Sequence, residues 1–340
     1  MMSRRAGRAL GLALLCFSPY PVLADTASSQ ASAEEASLAD AKAWFAKMAQ
    51  AFHALSYDAS FIYVHDGRIE SMRLVHAVSE GRERERLIHL NGPAREVLRD
   101  GEAVVRIVPE GEGDDIPAAD LHRANITGLF TVDAEKLFPY YDFELKDEVR
   151  VAGRMGQYIL VRSKDGYRYG YRLVLDKQTG LLLRSDLTDE RGQIIEQIQV
   201  ISLNVRDSIP ESELLAETVG KSLPESQPTP ASTTVVDPGW EVGWLPQGFS
   251  LSGYKQQAKT GTTTDHMMFS DGLTSISVYV QDPGRDGGGA DVMRKGGTTA
   301  YDVARDGYRV TVVGEVPVVT AQKIADSVRR VVTAPASRKG

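Results

Sequence analysis

Six histidines, His53, His65, His76, His89, His122 and His266, are the first residues to weigh for catalysis or metal binding. None stands three or four positions from another, the spacing that turns two imidazoles on one helical face toward a shared ion. Isolated histidines in strand-like runs are ordinarily polar residues of surface or core. The chain has no His-Glu-x-x-His, no P-loop and no nucleophile elbow. Gly111-Glu112-Gly113 lacks the third glycine of a dinucleotide loop and is acidic where a pyrophosphate would lie, so it reads as a surface turn. Asp282, Asp286 and Asp291 miss the alternating positions of an EF-hand calcium loop. No catalytic residue, metal or cofactor is expected, and the chain reads as a non-enzymatic binding protein. A hydrolase whose triad assembles from distant positions is the remaining enzymatic reading.

Other residues suit binding. In one strand-like run Tyr169, Tyr171, Leu173 and Leu175 share a face opposite Arg168 and Arg172, and Phe61 and Tyr63 share a face of another. On a curved sheet Phe61, Tyr63, Tyr169, Tyr171 and Leu173 would line a lipid-binding cavity, with tyrosyl hydroxyls tolerating a partly wet interior. Plain packing of the sheet against a helix accounts for the same residues, and composition alone favours it. Trp240 and Trp244, at the start of a second domain, are the partner-binding aromatics, against the alternative that they pack in a core. Arg82-Glu83-Arg84-Glu85-Arg86 alternates in sign, as a solvated or edge strand would, in preference to an anion-binding patch.

These residues need elements to position them. Leu38, Ala41, Phe45, Met48, Phe52 and Leu55 fall on one helical face, so a helix is expected over 38–55, with Ser37 and Asp40 as its capping box. Beyond it, strand-like runs at 61–65, 69–78, 82–90, 104–108, 157–162, 167–175 and 194–205 alternate with turn pairs. The pairs are Asp66-Gly67, Asn91-Gly92, Asp100-Gly101 and Asp165-Gly166. Hairpin after hairpin makes an antiparallel meander, interrupted by a short helix at Asp133–Leu137. Pro224, Pro228 and Pro230 among Ser, Thr and Gln mark a linker. A second domain follows, with strands at 275–280 and 308–313, a Gly-rich loop over 283–289, and a final helix capped by Thr320. The segmentation is 1–24 signal peptide, 25–36 disordered lead, 37–213 first domain, 214–236 linker, 237–333 second domain and 334–340 tail.

The beginning of the chain sets the compartment. Arg4, Arg5 and Arg8 precede an apolar stretch from Ala9 to Phe17, and Val22-Leu23-Ala24 suits cleavage before Asp25. The stretch is shorter than the roughly 20 residues a membrane span needs, so export to the periplasm by a cleaved signal peptide is expected. Cys16 is the only cysteine, and Leu15 before it is too bulky for lipid attachment. The mature chain then has no thiol chemistry and no disulfide, and its core must stabilise it. Cleavage leaves 316 of 340 residues and moves the formal charge from −7 to −10, which disfavours nucleic acid as a partner.

Several separated blocks resemble the RseB/MucB family: Arg86–Arg99 (RLIHLNGPAREVLR), Pro139–Phe143 (PYYDF), Trp244–Phe249 (WLPQGF), Phe269–Leu273 (FSDGL) and Val312–Pro317 (VVGEVP). The resemblance runs from Trp44 to Val332. It implies a mainly β (α+β) protein: an N-terminal unclosed antiparallel β-barrel with helices, similar to the lipoprotein carriers LolA and LolB, and a smaller C-terminal α+β domain. It further implies binding of the periplasmic domain of a single-pass anti-sigma factor (RseA or MucA), shielding it from site-1 proteolysis. Lipopolysaccharide or lipoprotein acyl chains would be the releasing signal, and in MucB-like members control of alginate the outcome. A lipoprotein carrier or lipid chaperone is the alternative, and assembly as a homo-oligomer is left open.

Overall fold

Tight turns set the architecture. Asp66-Gly67 (φ 47° and 70°), Glu80-Gly81 (52° and 76°), Ala152-Gly153 (50° and 77°) and Asp306-Gly307 (48° and 81°) each place both central residues at positive φ. That conformation matches the right-handed twist of the flanking strands. Asp66-Gly67 is the one of the four expected from sequence; Asn91-Gly92 and Asp165-Gly166 lie in longer loops.

A computed structural model describes residues 24–101, 103–110, 136–225, 239–259, 261–282 and 289–331. The expected signal peptide up to residue 23, most of the Asp133–Leu137 helix, most of the Gly-rich loop and the 334–340 tail lie outside the described residues. The chain divides into two compact units, Met1–Ala36 and Ser37–Gly340, and all three sheets belong to the second.

The larger sheet has twelve strands: β1 (Ser56–His65), β2 (Arg68–Ser79), β3 (Arg82–His89), β4 (Glu96–Asp100), β5 (Ala103–Val108), β6 (Tyr141–Leu145), β7 (Val149–Val151), β8 (Arg154–Ser163), β9 (Gly170–Asp176), β10 (Leu182–Thr188), β11 (Ile194–Arg206) and β12 (Lys221–Glu225). Its order is β12-β5-β4-β3-β2-β1-β11-β10-β9-β8-β6, with β7 also on β8. The two end strands do not pair, so the sheet is unclosed. A helix, α1 (Ala24–Ala54), buries Ala41, Phe45, Met48, Ala51 and Phe52 in one core with side chains from both ends of that order. A flat sheet of this width would span about 50 Å at ~4.8 Å per strand, far more than one helix of roughly 10 Å covers. The sheet therefore curls around the helix.

The helix begins at Ala24, not at the capping box expected at Ser37, and takes in the expected disordered lead. Ala24, Ala27, Ala31, Ala33 and Ala36 supply the strongest helix former where the apolar stripe is missing.

The charged run Arg82–Arg86 is no edge: β3 lies between β2 and β4. Glu85 is buried against Arg99 (2.9 Å) and Arg86 against Glu96 (2.7 Å), so partners on β4 satisfy what alternation alone assigned to solvent. After β11 the chain crosses the outer face of the sheet as a strap. A helical turn, α2 (Glu211–Leu214), seats Leu214 on Val75 and Ala77. Arg206 and Arg84 hold Glu213 and Glu211 (2.9 and 2.6 Å). The second oxygen of Glu96 accepts from the N–H of Glu217 (3.1 Å) and from the N–H and Oγ1 of Thr218 (both 2.7 Å). Residues 221–225, inside the expected linker, then join the sheet as β12 beside β5. Pro224, which has no N–H to donate, is tolerated there because β12 is an edge.

The second lobe is a six-stranded antiparallel sheet, β14-β15-β16-β19-β18-β17, with a small β13-β20 pair. Its strands are β13 (Trp240–Val242), β14 (Ser250–Lys259), β15 (Thr262–Ser270), β16 (Ser275–Asp282), β17 (Asp291–Lys295), β18 (Thr298–Arg305), β19 (Tyr308–Gly314) and β20 (Val328–Arg330). The helix α3 (Val318–Ser327) covers one face with Ala321, Ile324 and Ala325. It starts directly after Pro317, a residue suited to helix starts, so Thr320 sits buried inside the helix and does not cap it. No helix among the described residues is long and apolar enough to cross a membrane.

The strap makes stability depend on acid. Burial pushes the Glu96 carboxyl up, but the bonds from Arg86 and Thr218 outweigh it and hold the group below the usual carboxylate range. A lowered folded-state pKa contributes stability above the unfolded value and loses it as pH falls through the folded one. Urea unfolding should therefore show stability falling below the ordinary carboxylate range. Glu96→Gln should flatten that acid limb and cost about 1–3 kcal/mol at pH 7, because buried Arg86 then keeps only the exposed Glu217 carboxylate (3.4 Å) and the Glu213 carbonyl (3.3 Å).

Candidate functional site

Cross-strand register gathers the expected lipid-facing residues. Tyr63, Ile198, Ser185, Leu173 and Ile159 form one row across β1, β11, β10, β9 and β8. His65, Glu196, Leu187, Tyr171 and Val161 form the next. Phe61, Tyr63, Tyr169, Tyr171 and Leu173 all join the core that holds the helix. Tyr169 precedes β9, and Arg294 and Thr299 of the second lobe stand by its hydroxyl. The hydroxyls of Tyr57 and Tyr171 are buried, the first with no hydrogen-bond partner and the second with only Thr274 of the second lobe beside it. Burial, then the charge of Glu315, pushes the Tyr171 hydroxyl well above its ordinary pKa.

The expected partner-facing tryptophans go to different places. Trp240 lies in the second lobe's core, where its indole N–H donates to Asp265 (3.1 Å) and its ring packs on Tyr308. Trp244 is half-buried, edge-on to Tyr167 of the first lobe (5.0 Å), with the Lys323 ammonium 4.1 Å over its ring.

Around Trp244 the two lobes meet, and the meeting point is polar. Arg168, on the loop between β8 and β9, donates from Nε to Asp271 (2.8 Å), and both side chains are 0% exposed. Its remaining nitrogens donate to Asp165 and to the Gln247 carbonyl. Its guanidinium stacks over Tyr140 (5.0 Å) and Phe249 (5.1 Å). The Tyr141 hydroxyl donates to the same Asp271 oxygen (3.2 Å). The other oxygen, Oδ1, accepts from the N–H groups of Leu273 (3.0 Å) and Thr274 (2.8 Å), fixing the β15–β16 turn. That turn extends into the first lobe, and Leu273 is buried in the first lobe's core. Gly248 approaches Tyr140 so closely that a Cβ there would lie 2.2 Å from the ring. Thr320 Oγ1 donates to the Tyr167 carbonyl (2.9 Å).

A second contact uses backbone. The Gly296 N–H reaches both oxygens of Asp66 (2.9 and 2.8 Å), and the Gly297 N–H reaches Glu196 (2.6 Å). Side chains are excluded: a Cβ on Gly296 would fall 2.0 Å from Glu196 Oε1, and one on Gly297 2.3 Å from Leu187. Behind Asp66, buried His65 bonds Glu70 (2.8 Å).

Arg168, Asp271 and Leu273 were not singled out by type or spacing. The signal was present in the blocks: Pro139–Phe143, Trp244–Phe249 and Phe269–Leu273, far apart in the chain, converge on this one junction. Among the described residues no group of three or more His, Cys, Asp or Glu is placed to hold a metal ion.

A curled, unclosed antiparallel sheet joined through a buried ion pair to a smaller sheet-and-helix lobe is the build of a two-lobed binding protein. The chain belongs to the MucB/RseB family, whose N-terminal domain model matches residues 40–218 and whose C-terminal domain model matches 234–329. It is similar to the sigma-E factor regulatory protein RseB of Escherichia coli, 33% identical over 306 residues, 89% of this chain and 93% of that protein. It is equally similar to the sigma factor AlgU regulatory protein MucB of Pseudomonas aeruginosa, 33% identical over 304 residues, 86% of this chain and 91% of that protein. Among solved structures, the Pseudomonas aeruginosa MucA/MucB complex superposes with a TM-score of 0.72 at 30% identity, covering 86% of this chain and 100% of that one. MucB alone superposes with 0.64 at 30% identity, covering 86% and 98%.

Removing one member of the junction pair leaves the other charged and dry. Arg168→Met is expected to lower stability in urea unfolding by about 3–5 kcal/mol, and pairing it with Asp271→Asn to recover part of that. A loss under about 1 kcal/mol would mean that the pair is solvent-screened like a surface bridge.

Proposed function

We propose that this chain is a periplasmic negative regulator of an envelope-stress sigma factor. It holds the periplasmic domain of a single-pass anti-sigma factor of the RseA/MucA kind and keeps it from site-1 proteolysis. Acyl chains of lipopolysaccharide or lipoprotein, taken into the first lobe, release it. The observation that carries this reading is the match of both lobes to the two domains of a family whose members are named as sigma-factor regulators. The superposition on the MucA/MucB complex supports a lobe arrangement suited to holding a partner. The apolar interior around Phe61, Tyr63, Tyr169, Tyr171 and Leu173 supports a ligand with a hydrocarbon chain. For the partner, the half-buried Trp244 beside Lys323 is the more accessible of the two tryptophans.

Release requires lipid and partner to prefer different arrangements of the lobes, because a ligand indifferent to the arrangement shifts nothing. Calorimetric titration of the mature protein with the anti-sigma periplasmic domain should give saturable one-to-one binding. Lipopolysaccharide should weaken it by about 5–150-fold, the usual range of coupling between two sites. The protein should also slow cleavage of that domain by the site-1 protease. Binding that ignores lipopolysaccharide would remove the sensing arm. No binding, with acyl transfer between vesicles retained, would identify a lipid carrier instead.

A further inference from the structure

The β15–β16 turn, Ser270–Ser275, is built like a finger. Asp271 Oδ1 ties the N–H groups of Leu273 and Thr274, the Asp271 N–H bonds the Thr274 carbonyl (3.3 Å), and Ser270 Oγ both donates to that carbonyl (2.9 Å) and accepts from the Gly272 N–H (2.9 Å). Gly272 has φ +100°, which lets the turn close. So braced, the turn belongs to the second lobe, yet Leu273 at its tip is 6% exposed and sits in the first lobe's core. The Tyr171 hydroxyl is buried within that core, where Thr274 and the charge of Asp271, both of the turn, act on it.

A leucine side chain is a short length of hydrocarbon, chemically equivalent to the end of an acyl chain. We propose that the seat of Leu273 is part of the acyl-chain site of the first lobe, and that the finger is its resident occupant. An entering chain then expels Leu273. Because Asp271 belongs to the same braced turn, expulsion also withdraws the carboxylate from Arg168 and Tyr141 and loosens the junction. The finger thus converts occupancy of the first lobe into a change at the lobe boundary. This inference rests on the lipid-release reading above and supplies its physical link.

Competition sets the sign of the test. A ligand that must displace a resident group binds more weakly by the fraction of molecules whose seat is open. Titrating the mature protein with the fluorescent fatty acid cis-parinaric acid should give binding at least tenfold tighter in Leu273→Ala than in the wild type. The near-isosteric Leu273→Met should match the wild type. The Arg168 Nε–H, bonded to Asp271 across the lobes, should exchange with solvent faster when the wild type is saturated with the probe, a readout that survives even if Leu273→Ala folds poorly. Equal probe affinity in folded Leu273→Ala and wild type would overturn the proposal, as would an Arg168 Nε–H that stays protected with the probe bound. The same preparations separate the two readings. Partner binding with a probe affinity indifferent to Leu273 sinks the finger alone, whereas a tightened probe with no partner binding sinks the regulatory function alone.

Discussion

The junction depends on one carboxylate being satisfied from both sides. Asp271 lies out of water, where an ionised group is tolerated only if its charge is balanced and its lone pairs are filled. Its own turn fills one oxygen, and Arg168 and Tyr141 of the other lobe fill the second. Neither lobe completes this arrangement alone. Such a pair adds little net stability over an apolar contact of equal volume, because desolvation offsets the attraction. What it does supply is intolerance of half-measures. A small displacement leaves the buried Asp271 carboxylate without its cation while Arg168 keeps Asp165, so intermediate lobe positions are costly and a made or broken junction is favoured.

The rest of the first lobe is arranged to present that loop. Curling the sheet around α1 brings β6, β8 and β9 to one end of the order, where the Arg168 loop and Tyr141 project together. The strap works at the other end. Glu96 collects Arg86, Thr218 and the Glu217 N–H, and β12, the last strand of the sheet in chain order, pairs with β5. The connection between lobes therefore departs from a pinned sheet edge, while the polar junction is made by residues near the opposite edge. Backbone contacts at Gly296 and Gly297 add a third attachment whose geometry admits no side chain.

For the release proposed above, this division has a use. Apolar contacts weaken gradually as surfaces slide, whereas a buried ion pair with fixed hydrogen-bond geometry fails abruptly. Joining the two in one turn, Asp271 beside Leu273, makes a hydrocarbon event and an electrostatic one inseparable. The free energy passed between sites cannot exceed the ligand's differential affinity for the two arrangements.

Much of the architecture was legible in the residues. The helical stripe from Leu38 to Leu55, the antiparallel meander and the final helix follow from periodicities of 3.6 and 2, which local backbone geometry imposes on any buried face. The burial of Phe61, Tyr63, Tyr171 and Leu173 followed from alternation, and the family from blocks of adjacent residues. Tertiary structure decided the rest, and the charged residues show why. Arg86 reads as part of a solvated or edge strand because charge belongs in water by default, and the burial of Arg86, Arg168 and Asp271 rests on partners that sequence distance hides: Glu96 ten residues on, Asp271 more than a hundred from Arg168. Periodicity tells which side of an element is apolar. Only the packed chain tells whether a charge on the other side meets water or an opposite charge.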